Sequence, residues 1–307
     1  SLPEDPVVAG VIAQAFPDLM KERFGEALNQ HRLRREIIAM RVANDMINSG
    51  GITFAHRLRE STGASDEAIA RGFVFASQVY RRDAFFAAVN ALDFKVDTAI
   101  QYQMLDRTTG LLRGATRWFL RGQRSEVPLA DLIEPYSAGV KEVWDHLSEF
   151  LQGDMAAFWR ASYDDYIAAG VDEPLATFVA GGPILYAGLN IAEAAQKVSA
   201  GVLDVARLYF RIGEELGLTE FSRKVYEMKV ENHWQAIARE GLIDDIAAQQ
   251  REIAIAVLWC GASNKGHVDE CLAQWIESRQ PQVERWHRAL AEIRTATASE
   301  FAMYSVV

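Results

Sequence analysis

The stretch 30–61, QHRLRREIIAMRVANDMINSGGITFAHRLRES, constrains the fold of this chain more than any other. No Gly or Pro interrupts residues 30–48, and their composition favours one helix. Gly50 and Gly51 end it, since glycine alone enters the left-handed region at no steric cost. A second helix is expected over 53–61, stopping at Gly63. On a wheel of about 100° per residue, Leu33, Ile37, Met40 and Ile47 share one face. Ile38, Val42 and Met46 share the opposite face, and Arg34, Arg41, Asp45 and Asn48 form the polar strip between. A helix apolar on two sides is packed on two sides, so this one is expected at the centre of the fold. Arg35, Glu36 and Asn44 fall inside the apolar sectors. Buried charge is costly unless paired and hydrogen-bonded. The three are therefore expected to form a buried polar network with partners elsewhere in the chain.

The other segments read in the same way. After a short helical segment, Pro17 suits the first turn of a helix through residue 28. Ser65 is a good N-cap, with Asp66 and Glu67 placed to meet the positive end of the helix dipole. Ile69, Phe73, Ala76 and Tyr80 then recur at three and four. Another helix is expected at 83–92 and a long one at 95–121, roughly 40 Å at about 1.5 Å per residue. Gly110 and Gly114 lie inside it as points of bending or close packing. The stretch 122–128, GQRSEVP, is the best linker candidate and separates expected sub-bundles 1–124 and 125–307. Helices are expected at 131–151, 154–169 and 173–180, followed by a break at Gly181, Gly182 and Pro183. Pro183 would open the next helix. Others are expected at 202–216, at 219–229 with Thr219 as N-cap, at 232–260 with Gly241 as a kink point, at 268–278 and at 281–304. No stretch requires a strand and no fixed-period repeat occurs. The expected fold class is all-α: a multi-helix bundle, as two packed sub-bundles, without significant sheet.

Residue types that carry chemistry are sparse. Half of the 307 residues are apolar, enough for a large core, and the net charge is −10. That charge argues against a general affinity for nucleic acid or anionic membrane. Two cysteines, Cys260 and Cys271, are too few for a disulfide framework and suit a reducing cytoplasm. Acids precede the first short apolar run, where a signal peptide would carry a basic flank. The longest apolar run, near 253–260, falls short of a membrane span. No G-x-G-x-x-G joins a strand to a helix. Gly181, Gly182, Pro183 and Gly188 form the glycine cluster worth testing for phosphate. Pro183 removes an N–H that a phosphate would need, so a plain helix break is expected. Cys260, His267 and Cys271 are spaced like a sparse metal site, without a fourth ligand or a C-x-x-C pair. Two core cysteines and an interhelical histidine are the expected reading. H-E-x-x-H and G-x-S-x-G are absent. No catalytic, cofactor-binding or metal-ligating residue is assigned.

Arg113, Arg117, Arg121 and Arg124 are the clearest oriented charges, within roughly 80° of one another on a helix wheel. They read either as a solvated stripe paired with acids of this chain, or as a surface that docks a partner domain through its carboxylates. Trp118 turns away from them toward the core. Asp244 and Asp245 read as caps or partners of arginines.

The residues His31, Leu33 to Ala39, Ala43, Asn44, Met46, Asn48, Gly51, Thr53, Phe54, Arg57, Glu60 and Thr62 to Ala64 carry a resemblance. Together they resemble the C-terminal part of the large class of bacterial NAD-specific glutamate dehydrogenases. Phe16-Pro17, Glu22 to Phe24, Ala91 to Asp93 and Arg117 to Arg121 extend it. Weaker matches follow at Trp234, Ala238-Arg239, Asp244-Asp245, Trp275 and Leu290 to Glu292. Two positions depart: Ser49, where the family pattern has Arg, and Asn190, where it has Asp. The resemblance implies a cytoplasmic homo-oligomer of amino-acid catabolism. Its full-length form would oxidise L-glutamate with NAD to 2-oxoglutarate and ammonium. It places the NAD and substrate sites upstream, so this portion would hold no cofactor. Its partners would be the catalytic domain of its own polypeptide and sister subunits, and its role assembly, scaffolding or regulation. From the residues alone, the alternative is a self-standing helical protein-interaction or ligand-binding module.

Overall fold

The computed structural model describes residues 1–122, 124–262 and 268–295, and among these the chain is helical with no strand. Two 3₁₀ segments, Leu2–Glu4 and Pro6–Ala15, come first. The α-helices follow as α1 (Asp18–Leu28), α2 (Arg34–Gly50), α3 (Phe54–Thr62), α4 (Asp66–Val79), α5 (Arg82–Asn90) and α6 (Thr98–Arg121). A 3₁₀ turn, Arg124–Glu126, leads into α7 (Leu129–Asp145), α8 (Leu147–Phe150), α9 (Gly153–Ala168), α10 (Glu173–Leu185) and α11 (Ala187–Val198). The last are α12 (Val202–Glu215), α13 (Leu218–Glu227), α14 (His233–Ala262), α15 (Val268–Ser278) and α16 (Gln280–Thr295). No single helix among the described residues is long and apolar enough to cross a membrane.

Capping chemistry sets several of these boundaries. Ser65 Oγ accepts from the Ala68 N–H at 3.2 Å, Asp97 from Ala99 at 2.8 Å and Asp172 from Leu175 at 3.1 Å. Each satisfies a donor that the first helical turn leaves open. The helix expected from residue 30 starts later, at Arg34, because 28–33 make a tight turn in which His31 Nδ1 accepts from the Leu33 N–H at 3.1 Å. α13 is capped by Gly217 rather than Thr219, which lies inside it. α10 runs through Gly181, Gly182 and Pro183, so the break expected there is absent. Val179, Ala180 and Leu185 are buried on either side, and that packing holds the helix across residues that disfavour it locally.

The chain divides into two compact units. One comprises Ser1–Lys141 with Asp154–Tyr186; the other comprises Glu142–Gly153 and the chain from Ala187 onward. The stretch 122–128 lies within the first unit, so the units interleave along the sequence. In the first unit α6 packs on α4, α10 and α3. α4 and α6 approach closely at Gly72, where a Cβ would lie 3.0 Å from Phe119 and 3.1 Å from Thr116 Cγ2. Phe75 is fully buried beside them, with ring centroids 5.3 Å from Phe119, 5.7 Å from Tyr136 and 5.9 Å from Trp118. Each such buried aromatic contributes on the order of 1.5–3 kcal/mol before entropy is set against it. In the second unit α14 packs on α11, α12, α13 and α15. Its core joins Leu208, Ile212, Phe221, Val225, Ile246 and Val257. Trp286 closes it, its ring edge-on to Phe221 at 5.4 Å and its N–H donated to the Leu216 carbonyl at 2.6 Å.

Candidate functional site

α2 is packed on one side only. Ile38, Val42, Met46 and Ser49 are buried against the first unit, as one apolar face of the wheel requires. The other face is open: Leu33 is 51% exposed, Met40 57% and Ile47 47%. The expectation of a central helix is therefore corrected. The first 3₁₀ segments, α3, α4 and α6 pack on α2, and they reach one sector of it. The buried polar network expected at Arg35, Glu36 and Asn44 is corrected with it, because all three are exposed. Arg35 makes a surface ion pair with Glu4 at 3.3 Å and donates to Ser1 Oγ at 3.3 Å. Arg34 donates to the Pro3 carbonyl at 3.1 Å. Thus α2's N-terminal arginines tie down the first residues of the chain.

The polar network that does form around α2 centres on Arg82, at the start of α5. Its guanidinium meets Asp45 at 3.3 Å, donates to Ser49 Oγ at 3.0 Å, and pairs with Asp83. Phe73 and Phe86 lie beneath it, with centroids at 5.6 and 5.9 Å. Asp45 also meets Arg41 at 3.4 Å, and the Ser49 carbonyl accepts from Thr109 Oγ1 at 2.6 Å. Ser49, one of the two departures from the family pattern, is thus a buried acceptor for Arg82. Nothing in the sequence marked Arg82, which reaches α2 from across the first unit. It opens a short helix with no distinctive spacing, after Arg81 in the left-handed conformation (φ 51°). Beside this network a partly open cleft of about 230 Å³ lies between α2, α4, α5 and the 3₁₀ segment Pro6–Ala15. Val42, Phe73, Ser77 and Gln78 line it with Asp45 and Arg82. Of the two arginines that line it, Arg81 and Arg82, the second is already held by two carboxylates.

The arginine stripe is split. Arg113 is half-buried and Arg121 exposed, whereas Arg117 and Arg124 are 7% and 9% exposed. α6 ends at Arg121, and Arg124 folds back over that end. Its guanidinium carbon stands 3.5 Å above the Trp118 ring and it donates to the Trp118 carbonyl at 3.0 Å. A cation on an indole face and a donor to a terminal carbonyl both suit a helix C-terminus. Trp118 is buried, as its place on the wheel implied.

The remaining sequence candidates fall apart in space or lie in helices. Cys260 is exposed and Cys271 buried; His267 lies outside the described residues. Gly181 and Gly182 sit inside α10, where their N–H groups belong to a helix rather than to a phosphate-binding loop. Among the described residues no group of three His, Cys, Asp or Glu side chains is arranged to hold a metal. Asp244 is buried on α14. Asn190, the second departure, is buried on α11 and accepts from Arg251 at 3.2 Å, beside Glu193 at 2.9 Å from the same guanidinium. The Arg251 guanidinium also meets Glu252 at 2.9 Å, so one neutral amide and two carboxylates face it. The described residues thus form packed helices with one open helix face on α2.

Comparison with known proteins agrees with that description. The family described as glutamate dehydrogenase, C-terminal, matches residues 1–307. An NAD-specific glutamate dehydrogenase of Pseudomonas aeruginosa is 39% identical over 305 residues, which is 99% of this chain and 19% of that protein. Proteins of the same name from Halomonas elongata and Mycobacterium tuberculosis are 31% and 27% identical, with the same coverage. The chain thus spans about a fifth of the length of the curated relatives it matches. With its own family matched from end to end, this chain belongs to the glutamate dehydrogenase C-terminal family.

Proposed function

We propose that this chain is the non-catalytic C-terminal helical domain of a longer, cytoplasmic NAD-specific glutamate dehydrogenase. The full-length protein would oxidise L-glutamate with NAD to 2-oxoglutarate and ammonium. This domain would support its assembly and the position of its catalytic portion. One observation carries the reading: the family match covers residues 1–307, yet these residues align with only 19% of each relative. The catalytic and NAD-binding residues are then supplied by the other four-fifths. The helical architecture supports this assignment, because a dinucleotide site is ordinarily built at the carboxyl ends of parallel strands. A neighbouring domain or subunit would meet the arginine stripe at Arg113 and Arg121, which are more exposed than Arg117 and Arg124.

The test compares the full-length protein with residues 1–307 alone. Glutamate-dependent reduction of NAD is expected from the full-length protein and not from the fragment. Calorimetric titration of the fragment with NAD is expected to give no saturable heat. Micromolar binding of NAD by the fragment would overturn the assignment of a non-catalytic role.

A further inference from the structure

We infer that the outward stripe of α2, formed by Leu33, Ile37, Met40, Asn44 and Ile47, is the docking seam for a helix in the polypeptide that precedes this domain. The inference rests on the reading above, in which the domain is the C-terminal fifth of a longer chain. The seam is a surface that the described residues leave uncovered. Leu33, Met40 and Ile47 are each about half exposed, and Ile37 is partly so, while α2's other face is filled by Ile38, Val42 and Met46. Single exposed apolar residues need no account, but an apolar row along one helix does.

The spacing names the kind of occupant. Positions 33, 37, 40, 44 and 47 alternate steps of four and three, which is the repeat of a two-helix seam. A helix laid along them would seat its own side chains between Leu33, Ile37, Met40 and Ile47. Asn44 sits in the middle of the row, where a polar side chain fixes register by demanding a hydrogen-bonding partner opposite. Glu36, exposed beside the stripe, offers a carboxylate to a basic side chain on the incoming helix.

The position of Ser1 selects the occupant. Ser1, Pro3 and Glu4 are held to Arg34 and Arg35 at the start of α2 by contacts of 3.1–3.3 Å. Polypeptide joined to Ser1 therefore begins beside the seam. Such a segment is present at high effective concentration, so a modest apolar row suffices to hold it. A second copy would have to meet the full entropic cost of association across the same short row.

The experiment uses the full-length protein, with Met40 replaced by a photoreactive diazirine amino acid and with isotopically light and heavy chains mixed before assembly. Irradiation is expected to cross-link position 40 to a peptide upstream of Ser1, with both ends carrying the same isotope. A second variant, adding Ile47→Glu, is expected to lower that cross-link about tenfold, since a charge in the seam removes the apolar contact. Circular dichroism should be unchanged, because Ile47 is half exposed. Mixed-isotope cross-links would assign the seam to a sister copy and overturn the inference. So would cross-links confined to this domain, or none above an exposed control at Trp234, which is 70% exposed. Glutamate oxidation by the same preparation is measured separately. Its loss in the unmodified protein would sink the enzymatic reading while the cross-link map still reported what covers α2.

Discussion

At the scale of single residues, adjacent glycines can be required for different reasons, and Gly50 and Gly51 show it. Gly51 holds φ 81° and ψ 167°, a conformation that only glycine adopts freely. Gly50 is an ordinary helical residue, but a Cβ there would stand 2.1 Å from Phe54 Cδ2. Phe54 is 2% exposed and has nowhere to go. Gly110, in the middle of α6, has nothing within 4 Å of the place a Cβ would occupy. These facts decide the sign of two otherwise similar substitutions. Gly110→Ala is expected to stabilise by up to about 1 kcal/mol, through helix propensity and a less flexible unfolded chain. Gly50→Ala gains the same propensity but overpacks a buried ring, and is expected to destabilise by about 1–3 kcal/mol net. Urea denaturation of both variants measures the contrast. A stabilised Gly50→Ala would mean that Phe54 can shift.

At the scale of elements, α2 shows what a sequence discloses and what it withholds. The wheel correctly separated two apolar faces, and the cap at Ser65 was legible because a short polar side chain before an apolar run has one good use. The wheel could not say what covers each face. The described residues cover one face and leave the other open, so Arg35, Glu36 and Asn44 are exposed within this domain. The network around Arg82 was illegible for the opposite reason. It joins Asp45 and Ser49 of α2 to Arg82 of α5, and no local spacing records such a meeting. Gly181, Gly182 and Pro183 misled because local breakers lose to buried neighbours within α10. One-sided packing makes a sharp prediction for the domain on its own. Ile38→Ala, at a fully buried site, is expected to cost about 2–5 kcal/mol. Met40→Ala and Glu36→Ala, on the open face, should stay within about 0.5 kcal/mol. Chemical denaturation with a common m-value checks all three. A cost for Glu36→Ala above that of Ile38→Ala would restore the central helix that the sequence led us to expect.

At the scale of the whole molecule, stability against alkali depends on buried tyrosines, and Tyr80 and Tyr209, one in each unit, are the most strongly shifted. Burial pushes the phenols of Tyr80, which caps the end of α4, and Tyr209, on α12, far above their ordinary value, with Arg251 opposing the shift at Tyr209. The unfolded chain loses these protons near about pH 10. The folded chain keeps them well beyond that. Below about pH 10 both states hold the proton and the contribution is complete. As pH rises further the unfolded state binds fewer protons, and stability falls by about 1.4 kcal/mol per pH unit for each tyrosine. Removing the hydroxyl removes that slope, but its neutral-pH cost differs between the two sites. Tyr80 donates to the Leu185 carbonyl at 3.0 Å in a dry interior, so Tyr80→Phe should lose about 0.5–1.5 kcal/mol at pH 7. Tyr209 reaches the Ala247 carbonyl only at 3.5 Å, so Tyr209→Phe should be nearly neutral there. Both variants are expected to show a shallower decline than the parent between about pH 10 and 11.5, so that Tyr80→Phe, weaker at pH 7, closes on the parent or passes it. Lysines titrate in the same range, but equally in all three proteins, and cancel in the comparison. Urea midpoints measured at half-unit steps of pH would show the converging curves. Parallel curves would mean that the phenols ionise in place, and that neither interior is as closed as its packing implies.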